Sequence, residues 1–91
     1  MSVSSHVFKI LNDKGLHARA SARFVEVVES FDSEVTVEKD GLEASGSSIM
    51  GLLMLAASKG TTIKVTSNGK DSEELNSALD NLIKSNFGED S

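Results

Sequence analysis

The chain has 91 residues, of which 38% are hydrophobic, with no Cys, no Pro and a formal net charge of -5. That length predicts a single domain over residues 1–91, and the apolar content suits a packed globule better than a disordered tail. The missing Cys excludes disulfides and thiolate metal sites, the acidic balance argues against a nucleic-acid backbone as partner, and the longest apolar run, Leu52–Ala57, is far short of the roughly 20 residues that span a bilayer. Met1–Ser5 has no basic stretch followed by an apolar one, so no signal peptide is expected and the protein is predicted to be soluble and cytoplasmic.

In chain order, His6–Leu11 alternates, with Phe8 and Ile10 on one side and Lys9 on the other, as a half-buried strand does. Asn12-Asp13-Lys14-Gly15 is a turn signal. The period then changes: over Ala18–Phe31, Arg19, Arg23, Glu26 and Ser30 share one face, and Ala22, Phe24, Val25 and Val28 share the other. This predicts an amphipathic helix. Glu34–Glu38 alternates with Val35 and Val37 inward, Lys39-Asp40-Gly41 predicts a hairpin turn, and Leu42–Ser45 is the returning strand.

Ser47 or Ser48 can cap a short helix over Ile49–Ala56, which Lys59-Gly60 should stop. Thr62–Thr66 predicts a fourth strand, and Ser67-Asn68-Gly69 a turn after it. Asp71 and Glu74 resemble a capping box, followed by a helical stripe of Leu75, Ala78, Leu79, Leu82 and Ile83; Gly88–Ser91 should be frayed. The expected fold class is α+β, a four-stranded antiparallel sheet open to water on one face with three helices on the other.

The chemistry gathers where the first strand gives way to the first helix, at Gly15-Leu16-His17-Ala18-Arg19. His17 falls at or beside the N-cap. The first amides of a helix lack internal acceptors and the dipole there is positive, so this end suits an anion. A phosphoryl group on the imidazole would lie against the backbone N–H groups of Ala18, Arg19 and Ala20. The Arg19 guanidinium can add charge-assisted hydrogen bonds, and Arg23, one turn on, extends the basic face. From the residues alone, a histidine near a helix start is more often a solvated polar residue, and Arg19 and Arg23 more often a solvated face. His6 has no placed partner, and two distant histidines give no metal-ligand spacing.

Gly15-Leu16-His17-Ala18-Arg19 resembles the active-site signature of the HPr family, the histidine phosphocarriers of the bacterial phosphoenolpyruvate-dependent phosphotransferase system. Ser48-Ile49-Met50-Gly51 resembles that family's second signature at the expected separation, and the likeness covers roughly residues 5–87. The resemblance implies a carrier rather than an enzyme, with no cofactor and no metal, usually monomeric. His17 would be phosphorylated at Nδ1 and Arg19 would be the phosphate partner. Phospho-enzyme I would be the donor, and an EIIA-type protein the acceptor. Many members have Pro directly after the Arg, where this chain has Ala20. His-Ala-Arg-Ala and Met54-Leu55-Ala56-Ala57 are similar to the nitrogen-related NPr branch and to HPr-like proteins of alphaproteobacteria.

Ser48 is similar to the regulatory serine modified by HPr kinase/phosphorylase in part of the family, although helix capping alone would explain a Ser there. Ser47 stands where a basic residue often precedes that serine. Ile49, Met50 and Leu53 exceed what a short helix needs for burial, and the resemblance makes them, with Arg23, candidates for partner docking. The competing reading is a regulatory protein-binding module of the same system, switched by phosphorylation of Ser48 and His17. An independent small-molecule enzyme is disfavoured, because the sequence offers no second acid or base near His17 and no nucleotide-binding loop.

Overall fold

The computed structural model describes residues 2–88. Its elements are β1 (Ser2–Lys9), α1 (Ala18–Glu29), β2 (Ser33–Lys39), β3 (Leu42–Ser45), α2 (Ile49–Met54), β4 (Thr62–Gly69), α3 (Ser72–Lys84) and a short 3-10 turn at Asn86–Gly88. The strands form one antiparallel sheet in the order β1-β4-β2-β3. The last strand in the chain is therefore central and the first is an edge.

Period-two burial explains the layering. Phe8 pairs with Ile63, and Val37 with Val65; these side chains, with Ile10 and Val35, are buried on one face, while Val3 and Val7 of β1 stand exposed on the other. The three helices cover the buried face through Phe24, Val25 and Val28 of α1, Leu52 and Leu55 of the α2 region, and Leu75, Leu79 and Ile83 of α3, which join the strand residues in one apolar cluster. The expected α+β architecture is observed, including the Asp40-Gly41 hairpin, where both residues take positive φ (52° and 84°) as a two-residue turn with the twist of its strands requires.

Several local expectations are corrected. β1 begins at Ser2, not His6, because its hydroxyl-rich first half still pairs with β4. Ser67, Asn68 and Gly69 are the end of β4, not a turn: as the central strand, β4 is paired on both sides as far as Gly69, and tertiary pairing overrides their turn propensity. On α1, Phe24, Val25 and Val28 are buried as expected, but Ala22 is exposed; the small inward residues are Ala20 and Ser21, which lie one turn before Phe24 and Val25 on the same face. α2 ends at Met54 with Leu55 as its C-cap, and Ala56 turns the chain at φ 53°, well before Lys59-Gly60. Asp71 is the N-cap residue of α3 by position, but no capping bond comes from its side chain; its carboxylate accepts instead from the Asp32 backbone N–H at 3.0 Å, tying α3 to the α1–β2 loop. Of the tail expected to fray, residues 89–91 lie outside the described residues, and Gly88 closes the 3-10 turn in which Phe87 is fully buried.

Candidate functional site

His17 is placed by the loop before it. The Asn12 side-chain amide donates to the Gly15 carbonyl at 2.8 Å, and the Gly15 N–H donates to the Asn12 carbonyl at 3.1 Å, which closes the turn. Gly15 sits at φ +65°, and a Cβ there would clash with the Ala57 carbonyl oxygen, so both conformation and space demand glycine. The next residue, Leu16, is buried; its N–H donates to Ala57 O at 2.8 Å and its carbonyl accepts from the Ser21 hydroxyl at 3.1 Å. The loop is thus pinned to the segment after α2 on one side and to α1 on the other, and the following residue is delivered to the helix start.

That residue, His17, is the N-cap of α1, with extended backbone (φ -78°, ψ -174°). Its carbonyl accepts the first helical hydrogen bond, from Ser21 N–H at 2.8 Å. The N–H groups of Ala18, Arg19 and Ala20 precede that bond and have no acceptor within the helix. The first turn contains no acidic residue and includes Arg19. The imidazole is partly exposed and lines a shallow recess of about 290 Å³ with Lys14, Leu16, Leu53, Ala56, Ala57 and Ser58. A positive helix end, amides without helical acceptors and a partly exposed ring are features that suit an anion.

Arg19 and Arg23 are exposed and one helical turn apart. Arg23 also reaches the end of the chain's last turn: a Cβ added at Gly88 would lie 3.6 Å from its guanidinium. Ser48, rather than Ser47, caps α2, its hydroxyl accepting from the Gly51 N–H at 3.0 Å; the Ser47 hydroxyl pairs with that of Ser45. The apolar α2 residues divide by helix face. Leu52 is buried, Leu53 is half-buried against the His17 recess, and Ile49 and Met50 are exposed. Met54, 75% exposed, belongs to the same surface and was not anticipated.

Lys14 and Ala56 were also missed as neighbours of His17. Lys14 reads as one residue of a turn, and Ala56 as the last residue of a helix. Only the docking of the two loops brings them together. Larger hollows lie elsewhere; one, between the end of α1 and β2–β3, is lined by Glu29, Glu34 and Glu43 and repels an anion. Among the described residues no cluster of His, Cys, Asp or Glu could hold a metal ion, and no helix is long and apolar enough to cross a membrane.

The model of the family described as the PTS HPr component phosphorylation site matches residues 4–85. The chain belongs to the HPr family. It is 49% identical over 81 residues to the phosphocarrier protein HPr of Neisseria meningitidis, covering 89% of this chain and 91% of that one. It is 40% identical over 83 residues to the phosphocarrier protein NPr of Escherichia coli, covering 90% and 92%. Its fold superposes on the crystal structure of HPr from Thermoanaerobacter tengcongensis with a TM-score of 0.91 at 41% identity, covering 97% of this chain and 99% of that one. As an HPr-family chain it is a phosphocarrier of the phosphotransferase system, and its relatives bear carrier names, not enzyme names.

Proposed function

We propose that His17 is the residue that carries the phosphoryl group, taking it from phospho-enzyme I and giving it to an EIIA-type protein in the cytoplasm. The observation that supports this most is the partly exposed imidazole at the N-cap of α1, beside three backbone N–H groups with no helical acceptor. In the forward step the Nδ1 lone pair of neutral His17 attacks the phosphorus of the donor's phosphohistidine. The new N–P bond forms as the donor's N–P bond breaks, and the electron pair of the broken bond returns to the donor imidazole. The second step repeats this with His17 as leaving group. The N–H groups of Ala18, Arg19 and Ala20 and the Arg19 guanidinium face the charge of the transferring oxygens. That stabilisation is shared between phosphorylated state and transition state, and it is modest because the site stays open to water, which suits a group held only briefly. The exposed apolar surface of Ile49, Met50 and Met54, with Leu53 at the recess and Arg23 on the basic side, would seat both partners.

Incubation with phosphoenolpyruvate and enzyme I tests this by intact mass. One phosphoryl should add, mild acid should remove it, and His17→Ala should abolish it. An acid-stable adduct, or an undiminished one in the variant, would defeat the assignment.

A second reading, regulation at Ser48 by HPr kinase/phosphorylase, draws support from the position of that hydroxyl at the start of α2, next to exposed Ile49 and Met50. A phosphate there keeps an acceptor for the first helical amides, so the helix should persist, while two added charges beside the apolar patch would weaken docking. Ser48→Asp should then raise the KM for enzyme I several-fold with little change in Tm; an unaltered KM would remove the regulatory reading.

A further inference from the structure

The turn that precedes His17 carries a cation with no task in the fold. Lys14 is the third residue of the turn closed by the Gly15 N–H on the Asn12 carbonyl, and that turn is held further by the Asn12 side chain and by Leu16 on Ala57. Its backbone is thus fixed close before His17, and its side chain lines the recess that holds the imidazole. Lys14 is exposed and adds nothing to the apolar core, and no ion pair among the described residues engages its ammonium. The adjacent carboxylate, Asp13, pairs with Lys59 at 2.7 Å and is not a wall of the recess. The recess therefore presents one ammonium and no carboxylate beside the imidazole.

Position and chemistry suit that ammonium to an anion on the ring. Arg19 and the first amides of α1 belong to the helix side of His17, whereas Lys14 comes from the loop side. A phosphoryl group projecting from the ring turns oxygens to both sides, and donors of the helix start serve only one of them. A lysine supplies a compact charge on a flexible stem, with N–H groups that can follow a moving oxygen. Leu16, Leu53 and Ala57 make part of the recess apolar, which thins the water around a charge contact and strengthens it. The setting is local: Lys14, Arg19, Arg23 and Lys59, four of the chain's nine Lys and Arg, lie on the start of α1 or the two loops docked against it, in a chain of net charge -5.

We propose that Lys14 is a second cationic ligand of the phosphoryl group, reaching it from the loop side as Arg19 does from the helix side. The inference rests on phosphoryl transfer at His17 and adds a residue that the helix start does not supply. As the N–P bond to His17 forms, the donor's N–P bond breaks and its electron pair returns to the donor imidazole. Lys14 gives up no proton; its N–H groups donate to the non-bridging oxygens. The contact persists in the phosphorylated protein, so it stabilises the product as well as the transition state. A residue that only meets a partner protein changes forward and reverse rates alike. A residue that touches the phosphoryl group also changes the equilibrium between the two carriers.

That equilibrium is the test. Radiolabelled phospho-enzyme I is mixed with dilute protein, the ratio of phosphorylated to free form of each is read at equilibrium, and the labelled residue is mapped by peptide. Lys14→Gln should lower the transfer equilibrium constant by roughly three- to fivefold, the size of an exposed charge contact, with Tm unchanged. Lys14→Arg should restore most of it. Lys70→Gln removes the same charge beside Asp32, past the other end of α1, and should leave the constant as in the parent. The deficit of Lys14→Gln should shrink at high salt. The proposal is overturned if Lys14→Gln has the parent's equilibrium constant, whatever its rates, or if Lys70→Gln lowers the constant as much. Label on His17 with an unaltered constant in Lys14→Gln defeats this proposal alone. Label mapped to another residue defeats both it and the assignment of His17.

Discussion

At the scale of single residues, Gly15 and Arg19 have separable tasks around His17. Gly15 provides the positive φ and the absence of a Cβ that let Leu16 hydrogen-bond to Ala57. Gly15→Ala should therefore cost about 1–3 kcal/mol in urea unfolding, since a strained φ and a backbone clash act together. It should also slow phosphorylation of His17, because the loop that presents the ring must move. Arg19 is exposed at the start of α1 and makes no contribution to the core. Arg19→Ala should leave Tm within a few degrees of the parent but slow transfer from enzyme I by about tenfold or more, the loss expected for a charge-assisted hydrogen bond to the moving phosphoryl group. Stopped-flow transfer rates beside thermal melts separate the two variants: one should fail in both measurements and the other in rate alone.

At the scale of elements, α2 has six residues and depends on its cap more than a longer helix would. Ser48→Ala removes the acceptor for Gly51 N–H and should lower stability by about 1 kcal/mol, which for a domain of this size corresponds to roughly 4–8 °C in Tm. Ser47→Ala should cost little, because the Ser47 hydroxyl pairs with that of exposed Ser45 and caps no helix. Differential scanning calorimetry of the two variants distinguishes the capping serine from its neighbour, which the sequence left as alternatives.

The elements themselves were legible wherever a period was clean. Val35 and Val37 announce β2, Asp40-Gly41 announces its hairpin, and Leu75 with Leu79 and Ile83 announces α3. Legibility failed where long-range pairing decided the outcome. Nothing local in Ser67-Asn68-Gly69 says that both neighbouring strands will claim it, nothing in Ala56 says that it will leave the helix for φ 53°, and the choice of Ala20 and Ser21 over Ala22 as the inward residues depends on how α1 sits on the sheet. At the candidate site, His17 at a helix start could be placed from the strand-to-helix change. The recess around it could not, because Lys14 and Ala56 are about forty residues apart and meet only through docked loops. The role of His17 came from its resemblance to a family signature, since a histidine and an arginine at a helix start are compatible with a solvated surface.

At the scale of the whole molecule, one apolar cluster under one sheet both holds the fold and aligns the site. Phe24 of α1 and Phe87 after α3 are fully buried in that cluster. Either aromatic replaced by Ala should cost about 3–5 kcal/mol, read from the denaturant midpoint, because a large cavity is left in a small core. The start of α1 is fixed to the same core through Leu16 and Ala20, so the proposed transfer at His17 would be coupled to stability through the position of one helix.

The central claim is that a phosphoryl group on His17 is held by the start of α1, and ¹H–¹⁵N spectra of the protein recorded before and after phosphorylation by enzyme I test it most directly. The amides of Ala18, Arg19 and Ala20 should show the largest downfield shifts, reversing as mild acid removes the phosphate. An acid-labile phosphate that leaves those three amides unmoved, or that shifts the surroundings of His6 instead, would contradict it.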